Sequence, residues 1–183
     1  FVILMVVEQG ERVPLTITEV DVSSGTITLI FQELGFTTKL LGKLNVGDEL
    51  YHIVGPLGKP TEIKFFGTVV LVGGGVGTAE IYPIAKALKE KNNKIITVIG
   101  ARNKNLVVLE NKFRQISDEV FITTDDGSYG IKGLVSDVLQ ELINKKKIDL
   151  VYAVGPVVMM KVVSQLTKNF NIPTIVSLNT IMI

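Results

Sequence analysis

Residues 67–90 fix more of this chain's fold than any other stretch. The β-branched run Gly67-Thr68-Val69-Val70-Leu71-Val72 passes directly into Gly73-Gly74-Gly75-Val76-Gly77, and the amphipathic segment Glu80-Ile81-Tyr82-Pro83-Ile84-Ala85-Lys86-Ala87-Leu88-Lys89-Glu90 follows after Thr78-Ala79. Strand, glycine turn and helix in that order are the means by which an open α/β sheet turns backbone N–H groups and a helix N-terminus toward a phosphate. Glycine allows this because no Cβ stands between the backbone and the anion. The spacing is not G-x-G-x-x-G, since Gly73, Gly75 and Gly77 alternate. On the residues alone, nucleotide binding and a merely tight strand-to-helix turn both stay open.

The chain has 183 residues, room for one ordinary domain or two small ones. Its mean hydropathy of +0.40 raises the question of a membrane. The apolar runs are short, however: Phe1 to Val7, Thr68 to Val72 and Leu150 to Val154. None approaches the roughly 18 residues of a spanning helix. The excess fits strands of a sheet covered on both faces. A net charge of +1 gives no strong field for nucleic acid or a membrane surface. Lys145-Lys146-Lys147 reads as a solvated helix end, favoured there by the macrodipole. With no cysteine and a single histidine, His52, neither a disulfide nor a thiolate or His-based metal site is expected within these residues. Phe1 to Val7 begins in mid-strand without a basic lead, and it is not expected to be a signal peptide. Ile181-Met182-Ile183 stops on apolar residues, and the natural protein is expected to extend in both directions. A cytoplasmic location is expected.

Two halves carry different patterns. Residues 1–64 read as strands at Phe1–Val7, Leu15–Val22, Thr26–Gln32 and Glu49–Val54, with a helical turn at Thr37–Leu41. Ser23-Ser24-Gly25 and Asn45-Val46-Gly47-Asp48 supply turn chemistry between them. Such short, regularly spaced strands suggest a small β-barrel. Gly55-Pro56-Leu57-Gly58-Lys59-Pro60 then interrupts regular structure and marks the boundary. Residues 65–183 alternate strands (Gly67–Val72, Lys94–Gly100, Glu119–Thr123, Leu150–Val154, Thr174–Leu178) with helices (Gly77–Glu90, Leu106–Phe113, Lys132–Asn144, Val157–Asn169). The third helix carries an apolar stripe of Leu134, Val135, Val138, Leu139, Leu142 and Ile143. Short connections and buried-looking strands predict a parallel, doubly wound sheet. Ligands bind such sheets at the carboxyl ends of the strands. Here those ends carry Gly73–Gly77, Gly100-Ala101-Arg102, Thr124-Asp125-Asp126-Gly127 and Gly155-Pro156.

A barrel followed by a five-stranded nucleotide domain resembles the ferredoxin–NADP reductase superfamily. Arg12-Val13-Pro14-Leu15-Thr16-Ile17, Gly55-Pro56-Leu57-Gly58, Gly73-Gly74-Gly75-Val76-Gly77, Thr124-Asp125-Asp126-Gly127-Ser128 and Val154-Gly155-Pro156 with Met159-Met160 occur in that order. The ordered set resembles one branch of that superfamily. The branch comprises the electron-transfer subunits of dihydroorotate dehydrogenase and the small subunits of NADH-dependent ferredoxin:NADP oxidoreductase. It covers almost the whole chain, although no single motif decides it.

The resemblance implies an FAD-binding barrel, residues 1–64, and an NAD-binding α/β domain, residues 65–183. It also implies a [2Fe–2S] cluster on a cysteine-rich segment beyond the last strand. Ser177 to Ile183 resembles the lead-in to that segment, whose cysteines are absent, so the cluster is expected only in a fuller-length chain. The pattern departs elsewhere as well. Val13 and Leu15 occupy the positions of the family's flavin arginine and aromatic, with Arg12 one place earlier as the cation nearest the flavin diphosphate. Val154 replaces the cysteine that plant-type reductases place before Gly-Pro, which excludes a thiol there.

By the same resemblance Arg12, Pro14, Leu15 and Thr16 form the first FAD segment, against the alternative of an ordinary edge strand with a proline. Gly35, Thr37 and Thr38 open a helical turn suited to the FAD diphosphate, or simply cap it. Gly74, Gly75, Val76, Gly77 and Thr78 carry the NAD diphosphate. Arg102 lies where the adenine ribose is read, or is a solvated surface arginine. Asp125 and Asp126 read as an Asx-type turn rather than an acid–base pair, with Asp126 bordering the nucleotide. Gly155 and Pro156 border the nicotinamide. Met159 and Met160 read as core, and His52 and Tyr51 as structural or exposed. No catalytic acid, base or metal ligand is assigned.

The implied function is an NAD(P)H-dependent flavin oxidoreductase subunit that passes electrons between NAD(H), FAD and an iron–sulfur cluster. It would serve a larger catalytic partner, with ferredoxin as a further one. The alternative is a non-catalytic flavin- or nucleotide-binding module acting through partner contacts. A nucleic-acid-binding barrel is disfavoured by near-zero charge and few strand aromatics.

Overall fold

β1 (Val2–Met5), β2 (Val13–Leu15), β3 (Ile17–Asp21), β4 (Thr26–Leu29), α1 (Phe36–Leu41) and β5 (His52–Val54) follow one another in the first third of the chain. The computed structural model describes residues 1–178. The expected lead-in from Ser177 to Ile183 and the apolar end at 181–183 therefore lie largely or wholly outside the described residues. Two compact units are present, Phe1–Thr61 and the remainder from Glu62.

In the first unit β1 runs antiparallel between β2 and β5, with Ile3 opposite both Pro14 and Val54. Val2 and Leu4 are buried while Ile3 and Met5 are half-buried, the period of two expected of a strand with one covered face. Pro14 is tolerated because β2 is an edge, where its missing N–H interrupts no inner ladder. β3 and β4 form a separate antiparallel hairpin. Asp21 closes its turn by accepting from the N–H and hydroxyl of both Ser23 and Ser24. Those donors, the Ser23 hydroxyl foremost, pull the Asp21 carboxyl down to about 2. The strand expected over Leu15–Val22 is thus split at Thr16, and the others are shorter than their apolar runs.

The second unit begins with β6 (Thr68–Gly74), α2 (Gly77–Glu90) and β7 (Lys94–Ala101), followed by a 3₁₀ turn at Lys104–Leu106. It continues through α3 (Glu110–Ile116), β8 (Glu119–Thr124), β9 (Ile131–Lys132), α4 (Val135–Lys145), β10 (Leu150–Val154), α5 (Val157–Asn169) and β11 (Thr174–Val176). All six strands are parallel, in the order β11-β10-β6-β7-β8-β9. Val69 and Leu71 pack with Ile81, Leu88 and Phe113 on one face, while Val70 and Val72 pack with Val138, Leu139 and Val163 on the other. Burial on both faces explains why β6 is apolar without alternation. Each such side chain contributes roughly 1.5–3 kcal/mol relative to exposure. Buried Asn93 joins the end of α2 to the entry of β6: its Oδ1 accepts from the N–H groups of Phe66 and Gly67, and its Nδ2 donates to the Leu88 and Lys64 carbonyls.

Three features differ from expectation. The helix expected at Leu106–Phe113 starts at Glu110, because Leu109 takes a left-handed conformation (φ +59) as its N-cap. The helix expected from Lys132 starts at Val135, after Gly133 at φ +139. Ile131 and Lys132 instead pair with Thr123 and Thr124, giving a sixth strand. No helix among the described residues is long and apolar enough to cross a membrane.

Candidate functional site

From β6 the sheet grows through β7, β8 and β9 on one side and through β10 and β11 on the other. The order therefore reverses between β6 and β10, and the crevice outside that reversal is where open α/β sheets hold ligands. The pairing register sets Val154 beside Gly73, so the loops after the two strands leave the sheet side by side.

Those loops touch through glycine. A Cβ on Gly155 would lie 3.0 Å from both the N and Cα of Gly74. One on Gly77 would lie 2.5 Å from the Val154 oxygen, so the first turn of α2 packs on the end of β10 as only glycine permits. A Cβ on Gly74 would lie 2.5 Å from the Met159 sulfur and 3.0 Å from the Pro156 ring. Gly74, Gly77, Gly155 and Pro156, singled out in the sequence, are thus brought together.

Gly75 is different. It is left-handed (φ +57), and among the described residues a Cβ there would meet nothing within 4 Å. Its N–H donates to the Gly100 carbonyl at 2.9 Å, which holds the loop to β7 and removes that donor from ligand binding. The Thr78 N–H turns back to the Gly75 carbonyl, and the Ala79 N–H to that of Val76. Val76 is the N-cap, and the first turn of α2 faces its positive end toward the crevice. The Thr78 hydroxyl is fully buried with no hydrogen-bond partner among the described residues. Glu80, in the same turn, is raised above its ordinary value by burial. Neither Glu80 nor the contact of Met159 with the glycines was signalled by sequence, because both depend on how α2 and α5 settle on the sheet.

Arg102 and Asp126 meet at the ends of β7 and β8. The Asp126 N–H donates to the Arg102 carbonyl at 3.3 Å, and the Asp125 N–H donates to Ala101 at 3.1 Å. The Asp126 carboxylate accepts from the Ser128 hydroxyl at 2.6 Å and its N–H at 2.9 Å, which lowers its pKa. The Ser128 hydroxyl also accepts the Lys104 N–H, fastening one loop to the other. The Arg102 side chain is exposed. This corner is a hydrogen-bonded turn.

In the first unit, Thr37 is buried and its hydroxyl donates to Glu11 Oε2 at 3.2 Å, joining the Arg12–Thr16 segment to the start of α1. Gly35 is the N-cap of α1. Thr38 reaches back to accept from the N–H groups of Gly35 and Leu34 at 3.0 and 3.1 Å. Arg12 is exposed, Pro14 is exposed on β2, and Leu15 and Thr16 are half-buried. Arg12 and the first N–H groups of α1 suit a diphosphate, while Glu11 is an anion that such a ligand would have to displace from Thr37.

Residues 71–165, just over half of the chain, match the family described as "Oxidoreductase NAD-binding domain". The chain belongs to the oxidoreductase NAD-binding domain family. Among curated relatives of this family member, the "Dihydroorotate dehydrogenase B (NAD(+)), electron transfer subunit homolog" of Thermotoga maritima is 46% identical over 183 residues, covering 100% of this chain and 64% of that protein. The electron transfer subunit of the same name from Streptococcus pneumoniae strain R6 is 38% identical over 157 residues, covering 84% and 60%. The chain thus spans less than two thirds of the length of these curated relatives. Among solved structures, a chain from the NADH-dependent reduced ferredoxin-NADP oxidoreductase superposes with a TM-score of 0.93 at 45% identity, covering 100% of this chain and 66% of that one. An Amycolatopsis cytochrome P450 reductase shares the fold at a TM-score of 0.80 and 20% identity. The ferredoxin reductase-like fold expected from the sequence, a β-barrel followed by a doubly wound NAD-binding domain, is borne out by these likenesses, the first unit carrying its strands as a three-stranded sheet and a separate hairpin. So is the resemblance to the electron-transfer branch.

Proposed function

We propose that this oxidoreductase NAD-binding domain protein is the flavin- and NAD(H)-binding part of an electron-transfer subunit that serves a larger catalytic oxidoreductase. The observation that carries the reading is the paired glycine approach at the sheet reversal. Gly74 and Gly155 touch, Gly77 seats α2 on β10, and Gly75 stands open beside the helix N-terminus. That shape suits a dinucleotide diphosphate, which needs close backbone and a positive helix end rather than a side-chain catalyst. The names of the relatives support an electron-transfer role and favour a dihydroorotate dehydrogenase or ferredoxin:NADP oxidoreductase type of partner.

Under this reading Gly74, Gly75, Val76, Gly77 and Thr78 hold the NAD diphosphate, and Gly155 and Pro156 border the nicotinamide. Arg102 and the turn built on Asp126 border the adenine ribose. Arg12, with Gly35, Thr37 and Thr38 at the start of α1, holds the FAD diphosphate. Pro14, Leu15 and Thr16 line the flavin ring. Bound together, a nicotinamide coenzyme and a flavin supply hydride transfer followed by single-electron release, and the protein's part is to orient them. Under this reading the residues of this chain bind and align the two coenzymes, and no acid–base pair is required of them. A thiolate-held [2Fe–2S] cluster would need residues outside this chain, which has no cysteine. Ferredoxin as a second partner and a cytoplasmic setting follow from the same reading.

The test is cofactor content and titration. Purified full-length protein should carry FAD, released on denaturation, and should bind NAD(H) saturably. Material that takes up neither contradicts the proposal, and binding without electron transfer would leave only a nucleotide-binding module.

A further inference from the structure

Two hydroxyls stand at the start of α1, and both are engaged. The Thr38 hydroxyl is tied to its own turn: it accepts from the N–H groups of Leu34 and Gly35 and donates to the Gly35 carbonyl at 3.2 Å. The Thr37 hydroxyl, on a residue only 5% exposed, donates to Glu11 Oε2 at 3.2 Å across 26 positions of sequence. Glu11 itself is exposed. It lies between β2 and the turn that the Gly10 N–H closes on the Val7 carbonyl at 2.9 Å. Its carboxylate reaches Thr37 and leaves Arg12, the next residue, exposed. A threonine hydroxyl carries one proton, so it serves one acceptor at a time. A carboxylate oxygen and a phosphate oxygen compete for the same donor.

We propose that Glu11 is an autoinhibitory residue of the flavin site: its carboxylate holds the Thr37 hydroxyl that the FAD diphosphate takes, and repels the diphosphate while it does so. The inference rests on the reading of Arg12 and Thr37 as diphosphate contacts and adds a built-in competitor to it. Loading exchanges one acceptor for another. The Thr37 O–H leaves the carboxylate for a phosphate oxygen, and Glu11 turns to water. Because Glu11 is exposed, its repulsion acts through a water-like medium and is screened by salt.

Charge and hydrogen bond separate by substitution. Glu11→Gln removes the charge and keeps an acceptor for Thr37, while Glu11→Ala removes both. Full-length protein stripped of its flavin is titrated with FAD at low and at high salt, followed by quenching of the flavin fluorescence. At low salt Glu11→Gln is expected to bind FAD roughly fivefold to tenfold more tightly than the parent. Glu11→Ala, which also releases the hydroxyl, is expected to bind more tightly still. At high salt the gain in Glu11→Gln should shrink toward parity, a response that a merely structural role would not give. Unchanged or weaker FAD binding in Glu11→Gln would overturn the proposal and leave the flavin reading intact, as would a gain that salt does not alter. Glu11→Ala binding no more tightly than Glu11→Gln would leave the hydroxyl uncontested and overturn it too. A parent and variants that all take up no FAD would overturn the flavin reading itself, and this inference with it.

Discussion

The α-carbon of Gly77 packs against the carbonyl of Val154, so that a Cβ at 77 would stand 2.5 Å from that oxygen. The obstacle is backbone on the central part of the sheet, and it cannot swing aside as a side chain can. Gly77→Ala must lift the first turn of α2 from β10. A loss of about 1–3 kcal/mol is expected, the usual cost of overpacking, together with weakened coenzyme binding. Urea unfolding followed by circular dichroism reads the first effect and NAD⁺ titration the second.

Gly75 carries the opposite expectation. Among the described residues nothing occupies the space where its Cβ would be, and only its φ of +57 resists a side chain. Gly75→Ala should fold with a loss of about 1–2 kcal/mol from the left-handed conformation. Gly75→Val should put a branched side chain into the open approach and damage NADH binding while flavin content stays intact. Normal NADH affinity in Gly75→Val would count against the site.

Gly74 and Met159 should be coupled. Gly74→Ala drives a methyl into the Met159 sulfur and the Pro156 ring. Trimming Met159 to alanine in the same chain removes the first of these obstacles. A double-mutant cycle on thermal stability should give a favourable interaction of about 0.5–3 kcal/mol, the range for residues in contact. Strict additivity would mean that this contact relaxes freely.

How much of this was legible in the sequence depends on where each signal lies. The limits of α2, β10 and α5 coincide with the sequence expectation, because apolar pattern and glycine or proline punctuation change at the same residues. The start of α3 was not legible, since a leucine at φ +59 carries no glycine signature. Two residues are too few for a periodicity, so β9 could be recognised only from its pairing with Thr123 and Thr124. At the site, the loop residues stood out as glycines and turn formers. Glu80 and Glu11 did not, because a lone glutamate reads as surface until its neighbours are known, and Met159, marked beside Gly155-Pro156, read as core rather than as a neighbour of Gly74.

Two carboxylates should move stability in opposite directions with pH. Asp149 accepts the Thr68 N–H at 2.9 Å and pairs with Lys147, and the backbone bond is the main cause of its lowered pKa. Its folded pKa lies below the unfolded one, so its contribution is present above the ordinary carboxylate value and is lost as pH falls through the folded pKa. Asp149→Ala should cost about 1.5–3 kcal/mol at neutral pH, as for a hydrogen bond to a charged group, and much less in acid. Glu80 is raised by burial, so its ionisation opposes folding and stability falls as pH rises through its folded pKa. Glu80→Gln should therefore be more stable than the parent at neutral pH, with the difference disappearing below the ordinary value of 4.5. Unfolding midpoints across that range for both variants check the two signs.

Rapid mixing of the flavin-loaded, full-length protein with NADH under anaerobic conditions, followed in the visible flavin band, tests most directly whether this chain hands electrons from a nicotinamide to a flavin. Saturable bleaching that slows in Gly75→Val is the expected result. A flavin band that NADH leaves unchanged, or a protein that carries no flavin at all, would contradict it.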